Sequence, residues 1–142
     1  MSPAEQLWEI EAIKQLKARY FRCMDLRDWD GLAATMTDDI VFNHPTIGLH
    51  HTREVAMAAL KQRLAGLVFT SHHGCMPEIL IESPTEASGI WSLHSCVVPV
   101  SRPGEGAKTP LHGYGRYFDT YRCEQGKWRI RTLRLEHLYK QS

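Results

Sequence analysis

An α+β fold, with helices ahead of an antiparallel sheet, is predicted by three features of the sequence. Apolar residues recur at helical spacing in the first third of the chain, four stretches with strand character follow in the second half, and turn residues separate those stretches at hairpin distances. Helices first and strands afterwards indicate segregated layers, not alternating βαβ units.

The first helix starts at Ser2, a candidate N-cap with Pro3 at the first helical position. Its apolar positions Ile10, Ile13, Leu16, Tyr20, Phe21 and Met24 follow a 3.6-residue period. Asp28 then caps a shorter helical pattern through Leu32, Ala33 and Met36, so a helical hairpin is expected. Residues Asp39 to His44 are β-branched and aromatic and stop at Pro45, as a short strand does. Helical spacing returns from Thr52, a candidate N-cap, to Leu64, and Gly66 follows it.

Strands are predicted over His72–Ile81, Ala87–Val100, Leu111–Cys123 and Lys127–Leu138. Ser83-Pro84, the loop from Ser101 to Pro110, and Gln125-Gly126 separate them. These strands exceed the usual length of about six residues, and Gly89, Gly113 and Gly115 offer places to bend. A strongly curved sheet against helices encloses a pocket.

Composition narrows the function. The 142 residues fit one compact domain, and no linker, repeat or low-complexity tract divides residues 1–142. Seventeen basic against sixteen acidic residues leave a net charge of +1, too little to steer nucleic acid or an anionic membrane. Neither a signal peptide nor an apolar run long enough to span a bilayer is present in the sequence, which reads as cytoplasmic. The four cysteines have no C-x-x-C spacing and are expected as reduced, mostly buried thiols. The pairs His50-His51 and His72-His73 lack the i, i+4 spacing of a helical zinc motif, and no nucleophile elbow or glycine-rich phosphate loop occurs. No metal and no cofactor are expected.

On the first helix, Asp25 falls roughly 40° past Phe21, on the margin of the apolar face. It can face a cavity rim, or pair with Arg22 or Arg27. Of His72 and His73, alternation sends only one to the pocket. Tyr117, Asp119 and Tyr121 share one strand face and are candidates to line the pocket, as are His44, Trp91 and His112, or else they are core aromatics and edge polar groups.

The sequence resembles the SnoaL-like branch of the NTF2-like superfamily in Tyr20-Phe-Arg-Cys-Met-Asp25-Leu-Arg-Asp28-Trp29-Asp30-Gly-Leu, in Asp38-Asp39-Ile-Val-Phe and in Ser71-His72-His73 with Pro77 following. The likeness continues through Gly115-Arg-Tyr117-Phe-Asp119-Thr-Tyr121 to Gly126-Lys-Trp128-Arg-Ile130. It implies a cone of three helices and a curved, mostly antiparallel sheet around a pocket for a hydrophobic, often cyclic small molecule. Members include scytalone dehydratase, bile acid dehydratases, a dehydrochlorinase and noncatalytic relatives. In the dehydratases an aspartate ending helix 1 orients a proton-abstracting histidine; motif matching assigns those roles to Asp25 and His72, and a tyrosine shared with the bile acid enzymes to Tyr20. Scytalone dehydratase places tyrosines where this chain has Met24 and His44, which points away from that substrate.

The resemblance therefore implies a lyase or isomerase, with a ligand-binding or structural module as the alternative. A homodimer or homotrimer is expected, since the exposed faces of long strands need cover.

Overall fold

In a computed structural model, which describes residues 1–141, three helices pack against one six-stranded mixed sheet. Helix α1 spans Pro3–Leu26. Its N-terminus is closed by a capping box, in which the Glu5 N–H donates to Ser2 Oγ at 3.1 Å and the Ser2 N–H donates to the Glu5 carboxylate at 2.6 Å. Arg27 ends it in the left-handed region, φ 60°. Helix α2, Trp29–Ala34, follows with Asp28 as its N-cap. Helix α3, Arg53–Ala65, has Thr52 and Gly66 as its caps.

The strands are β1 (Met36–His44), β2 (Gly48–His51), β3 (Leu67–Ser83), β4 (Glu86–Pro99), β5 (Leu111–Glu124) and β6 (Lys127–Lys140). They lie in the order β2-β1-β6-β5-β4-β3, antiparallel except for the parallel β1–β6 pair. The expected α+β architecture with a mostly antiparallel sheet is thus present.

Several boundaries differ from expectation for identifiable reasons. Met36 fits the helical spacing from Leu32, yet Thr35 closes α2 and Met36 opens β1. Strand β2 is a four-residue edge segment with no alternation to reveal it. Strand β3 starts at Leu67, five residues before the predicted His72, because its register against β4 shifts between Leu67 and Phe69 and interrupts the alternation. A second irregularity, between Cys75 and Glu78, places Met76 at φ 49° and accommodates Pro77 on an edge strand. Between Tyr114 and Gly115 the β5–β6 register shifts as well; a Cβ on Gly115 would collide with the carbonyl oxygen of Glu136.

The core lies between the helices and one face of the sheet. Ile13, Leu16, Tyr20 and Met24 of α1 and Leu60 and Leu64 of α3 are buried there, together with Leu93, Tyr117, Leu133 and Leu135 of the sheet. The cysteines are free, but only Cys23 is buried, and Cys75 is exposed. Mostly buried thiols were therefore the wrong expectation: the strand edge and bulge at Cys75 turn its side chain outward. No helix of the described residues is long and apolar enough to cross a membrane.

Candidate active site

A cavity opens between α1, α3 and the sheet, lined by Tyr20, Phe42, His44, Leu60, His72 and Leu135 among others. The cavity encloses about 90 Å³ and opens to solvent at its mouth. Most of its wall is apolar, so the polar groups that reach it are few and placed.

His72 reaches this cavity from β3, while Asp25, in the last turn of α1, and Thr70, on the early part of β3, stand behind it. Nδ1 of His72 lies 2.7 Å from Asp25 Oδ1. The His72 backbone N–H donates to Oδ2 at 3.0 Å, and the Thr70 hydroxyl donates to Oδ1 at 2.9 Å. Thr70 in turn accepts from the Arg27 guanidinium at 2.8 Å, which also donates to the Met24 carbonyl. Partial burial pushes the Asp25 carboxyl up, but the bonds and charge from His72, with Thr70, outweigh it and hold Asp25 below its ordinary value. An ionised Asp25 cannot donate, so Nδ1 carries the proton and Nε2 is left as the acceptor. The alternative pairing of Asp25 with Arg22 or Arg27 does not occur; Arg27 reaches it only through Thr70.

His73 points the other way, exposed, its ring stacked on His94 at 5.8 Å. The His72 ring instead stacks on Phe21, with centroids 6.1 Å apart and planes within 8°. Gly74 makes room for this: a Cβ there would stand 2.5 Å from Phe21 Cε2 and 3.3 Å from Trp91 Cε3.

Tyr20 and Tyr117 both line the cavity and are almost wholly buried. Burial, then each other's hydroxyl and the nearby Asp119, keep Tyr20 protonated far above its ordinary range. The two rings meet edge to face, with centroids 6.4 Å apart. His44 lines the cavity too, with Nδ1 accepting from the backbone N–H groups of Thr46 and Ile47 at 3.1 and 3.3 Å. Burial, then cationic neighbours, lower His44 to about 3, so it is neutral near pH 7 with its proton on Nε2. His112 borders the cavity at its rim, its Nδ1 engaged with His94 Nε2 at 2.9 Å.

Trp91 and Asp119 do not line this cavity, contrary to the sequence reading. The Trp91 indole packs beside Gly74 and donates to the Tyr121 hydroxyl at 2.8 Å. Tyr121 donates to Asp119 at 2.9 Å, and Lys17 closes on the same Asp119 oxygen at 2.7 Å, both side chains fully buried. The Lys17 ammonium sits 3.8 Å from the Tyr117 ring centroid. Asp119 belongs to a supporting network behind the tyrosines.

Thr70 and Lys17 were missed by the sequence reading, as were the cavity residues Arg63 and His137, and Arg27 was weighed only as a direct partner of Asp25. A strand assigned from Thr70 onward would have offered Thr70, two residues before His72 and on its face; Lys17 had no signal, since a lysine at a core position is read as a solvated one. Among the described residues no three His, Cys, Asp or Glu side chains converge as a metal-ligand set.

Helices closing over an open, curved, mixed sheet with a polar dyad inside the resulting cone define an NTF2-like α+β protein. The chain belongs to the SnoaL-like domain family, whose profile matches residues 5–134. Solved structures agree in fold. A protein from Novosphingobium aromaticivorans, provisionally named a scytalone dehydratase, superposes with a TM-score of 0.89 at 21% identity, covering 99% of this chain and 91% of its own. A hexachlorocyclohexane dehydrochlorinase, LinA-type3 from Novosphingobium barchaimii, gives 0.85 at 20% identity, covering 99% and 93%. A provisionally named dehydratase of the NTF2-like family from Streptomyces avermitilis gives 0.78 at 9% identity, covering 91% and 95%. At such identities the likeness carries the fold and leaves the substrate open.

Proposed function

We propose that this protein is a cofactor-independent lyase or isomerase of the dehydratase type, acting on a hydrophobic cyclic or polycyclic carbonyl compound. The observation that carries the reading is the 2.7 Å bond between Asp25 and His72 Nδ1 beside a largely apolar cavity. In this mechanism a hydroxyl of the Tyr20–Tyr117 pair donates to the substrate carbonyl and acidifies the adjacent C–H. His72 Nε2 takes that proton, and Asp25 stabilises the imidazolium. The electron pair of the broken C–H bond forms the new double bond. In an elimination the β-hydroxyl leaves as water with the proton that His72 returns; in an isomerisation the proton returns to a different carbon. His44 Nε2–H offers a second neutral donor for the substrate. Trp91 and Asp119 act only through the tyrosines they support.

The dehydratase-named and dehydrochlorinase structures of the same fold are consistent with elimination chemistry. Self-association as a homodimer or homotrimer belongs to this reading, and the outer-face groove bordered by Ile79, Leu80, Ile90 and Phe118 is the surface it would cover.

The test is a panel of cyclic β-hydroxy ketones, followed by enone absorbance and by α-proton exchange in D2O. The wild-type protein is expected to turn over at least one of them, with Asp25→Asn and His72→Ala slower by about a hundredfold or more. Ligands that bind and emerge unaltered, or turnover indifferent to both substitutions, would replace this reading with a carrier or structural module.

A further inference from the structure

Two cationic side chains are among the residues that line the cavity. Arg63, in the last turn of α3, and Lys140, at the end of β6, both line it, as do His44 and His137. No Asp or Glu is among the lining residues. The carboxylate nearest the chemistry, Asp25, is already committed to Thr70 and to both N–H groups of His72. Lys140 donates to the Thr46 hydroxyl at 3.1 Å. Arg63 is half-buried, and among the described residues no carboxylate stands within ion-pair distance of its guanidinium. His44 registers the resulting field: after burial, each further influence that lowers it comes from a basic side chain, His137, His72, Arg63 or Lys140, of which Arg63 and Lys140 carry a permanent charge.

A half-buried guanidinium against an apolar wall has lost part of its hydration and gained no anion. Its five donors form a planar fork that fits a carboxylate. A neutral polycycle would leave that fork unmet, whereas an acid would satisfy it. Phosphate fits less well, because Arg63 sits at the C-terminal turn of α3, the negative end of the helix dipole, which opposes a dianion more than a monoanion.

The geometry points to a ligand that carries a carboxylate, received in the cavity by Arg63 with Lys140 in support, its apolar body lying along Leu60, Leu64 and Leu135. This rests on the proposed function for the claim that His72 reacts with the far end of the same molecule, and it narrows the class of that substrate to a cyclic carbonyl compound that also carries a carboxylate, preferred over its neutral counterpart. Arg63 and Lys140 are then specificity-determining residues.

The experiment reads binding and not turnover. Calorimetry at pH 8 compares 2-naphthoate and cyclohexanecarboxylate with their neutral amides on the wild type, Arg63→Gln, Arg63→Lys and Lys140→Gln. The acids are expected to bind the wild type roughly tenfold or more tighter than the amides, as a charge-assisted fork contact requires. Arg63→Gln should erase that preference while leaving amide affinity within about twofold, Arg63→Lys should keep part of it, and Lys140→Gln should weaken the acids by a smaller factor. A melting curve unchanged in Arg63→Gln shows that the fold is intact. Equal affinity for acid and amide, binding of neither, or an equal loss of both in Arg63→Gln overturns the proposal. A protein that holds the acids through Arg63 but converts no substrate loses the proton-transfer reading and keeps this one; an active protein indifferent to the carboxylate does the reverse.

Discussion

Asp25 grips His72 twice, at the ring through Nδ1 at 2.7 Å and at the backbone through its N–H at 3.0 Å, across 47 residues of sequence. The two contacts use different carboxylate oxygens, so the ring cannot rotate or the strand slide without breaking one of them. Orientation of the base is therefore built into the pairing of α1 with β3. The Thr70 hydroxyl joins the carboxylate to Arg27 and completes a chain from the end of α1 to the imidazole.

Thr70→Val keeps the shape of this buried residue and deletes its hydroxyl. Asp25 then loses one of its donors and Arg27 an acceptor, at a cost of about 1–2 kcal/mol in urea unfolding. The Asp25 carboxyl should titrate nearer its ordinary 3.8, read by carboxyl carbon NMR, because one of the bonds that lower it is gone. The sign follows from linkage: a carboxyl lowered in the folded state adds stability above its unfolded value, and this is lost as pH falls through the folded one. The variant should lose less stability than the wild type on acidification below about 4. An unmoved Asp25 titration would break the proposed chain.

Lys17 and Asp119 meet at 2.7 Å with both side chains at 0% exposure. Burial draws each toward neutrality, Lys17 down and Asp119 up, and their contact opposes both shifts. Removing one partner strands the other, so Lys17→Met should cost roughly 3–5 kcal/mol. Lys17→Met with Asp119→Asn should recover a large part of that, since no charge is then left unpaired, although Tyr121 still needs its acceptor. Urea denaturation of the two singles and the double closes the cycle. A double variant as unstable as the sum of the singles would show that the two residues act independently.

The contrast between Asp25 and Lys17 explains which parts of this protein can be read from its sequence. The helices and long strands announce themselves through caps, period and turn residues: Ser2 with Glu5, Thr52 with Gly66, and Gln125-Gly126 between β5 and β6. Strand β2 has four residues and one pairing partner, too few for a period. The bulge after Leu67 hides the first turn of β3 and with it Thr70. Asp25 and His72 stand out only because their neighbours match a family pattern; residue type and spacing alone left Asp25 open to an arginine partner. Lys17 sits on the same helix face as Tyr20 and Phe21, and its partner is 102 residues away, so no local pattern distinguishes it from a solvated lysine. The cationic pair lining the cavity is likewise assembled from the ends of α3 and β6, which only the tertiary fold brings together.

His44 makes stability depend on pH in a window separate from that of Asp25. In the folded protein its Nδ1 accepts two backbone N–H bonds, and burial, followed by the charges of His137, His72, Arg63 and Lys140, lowers it from 6.5 to about 3. The unfolded chain binds a proton on this ring below about 6.5, whereas the folded one does not until about pH 3. Stability from this group is complete above 6.5 and falls as the pH drops toward 3. Between pH 7.5 and pH 5 the loss should be ~1–2 kcal/mol, because the unfolded state gains a proton over that range. His44→Asn places an amide oxygen where Nδ1 accepts, keeps the two backbone bonds and cannot be protonated. Urea unfolding of the variant at the two pH values should show most of the difference gone, with a smaller remainder from His137, which burial and Lys140 also lower. If the variant keeps the full difference, the His44 ring is charged in the folded protein at pH 5, and the cavity is less positive than its lining residues imply.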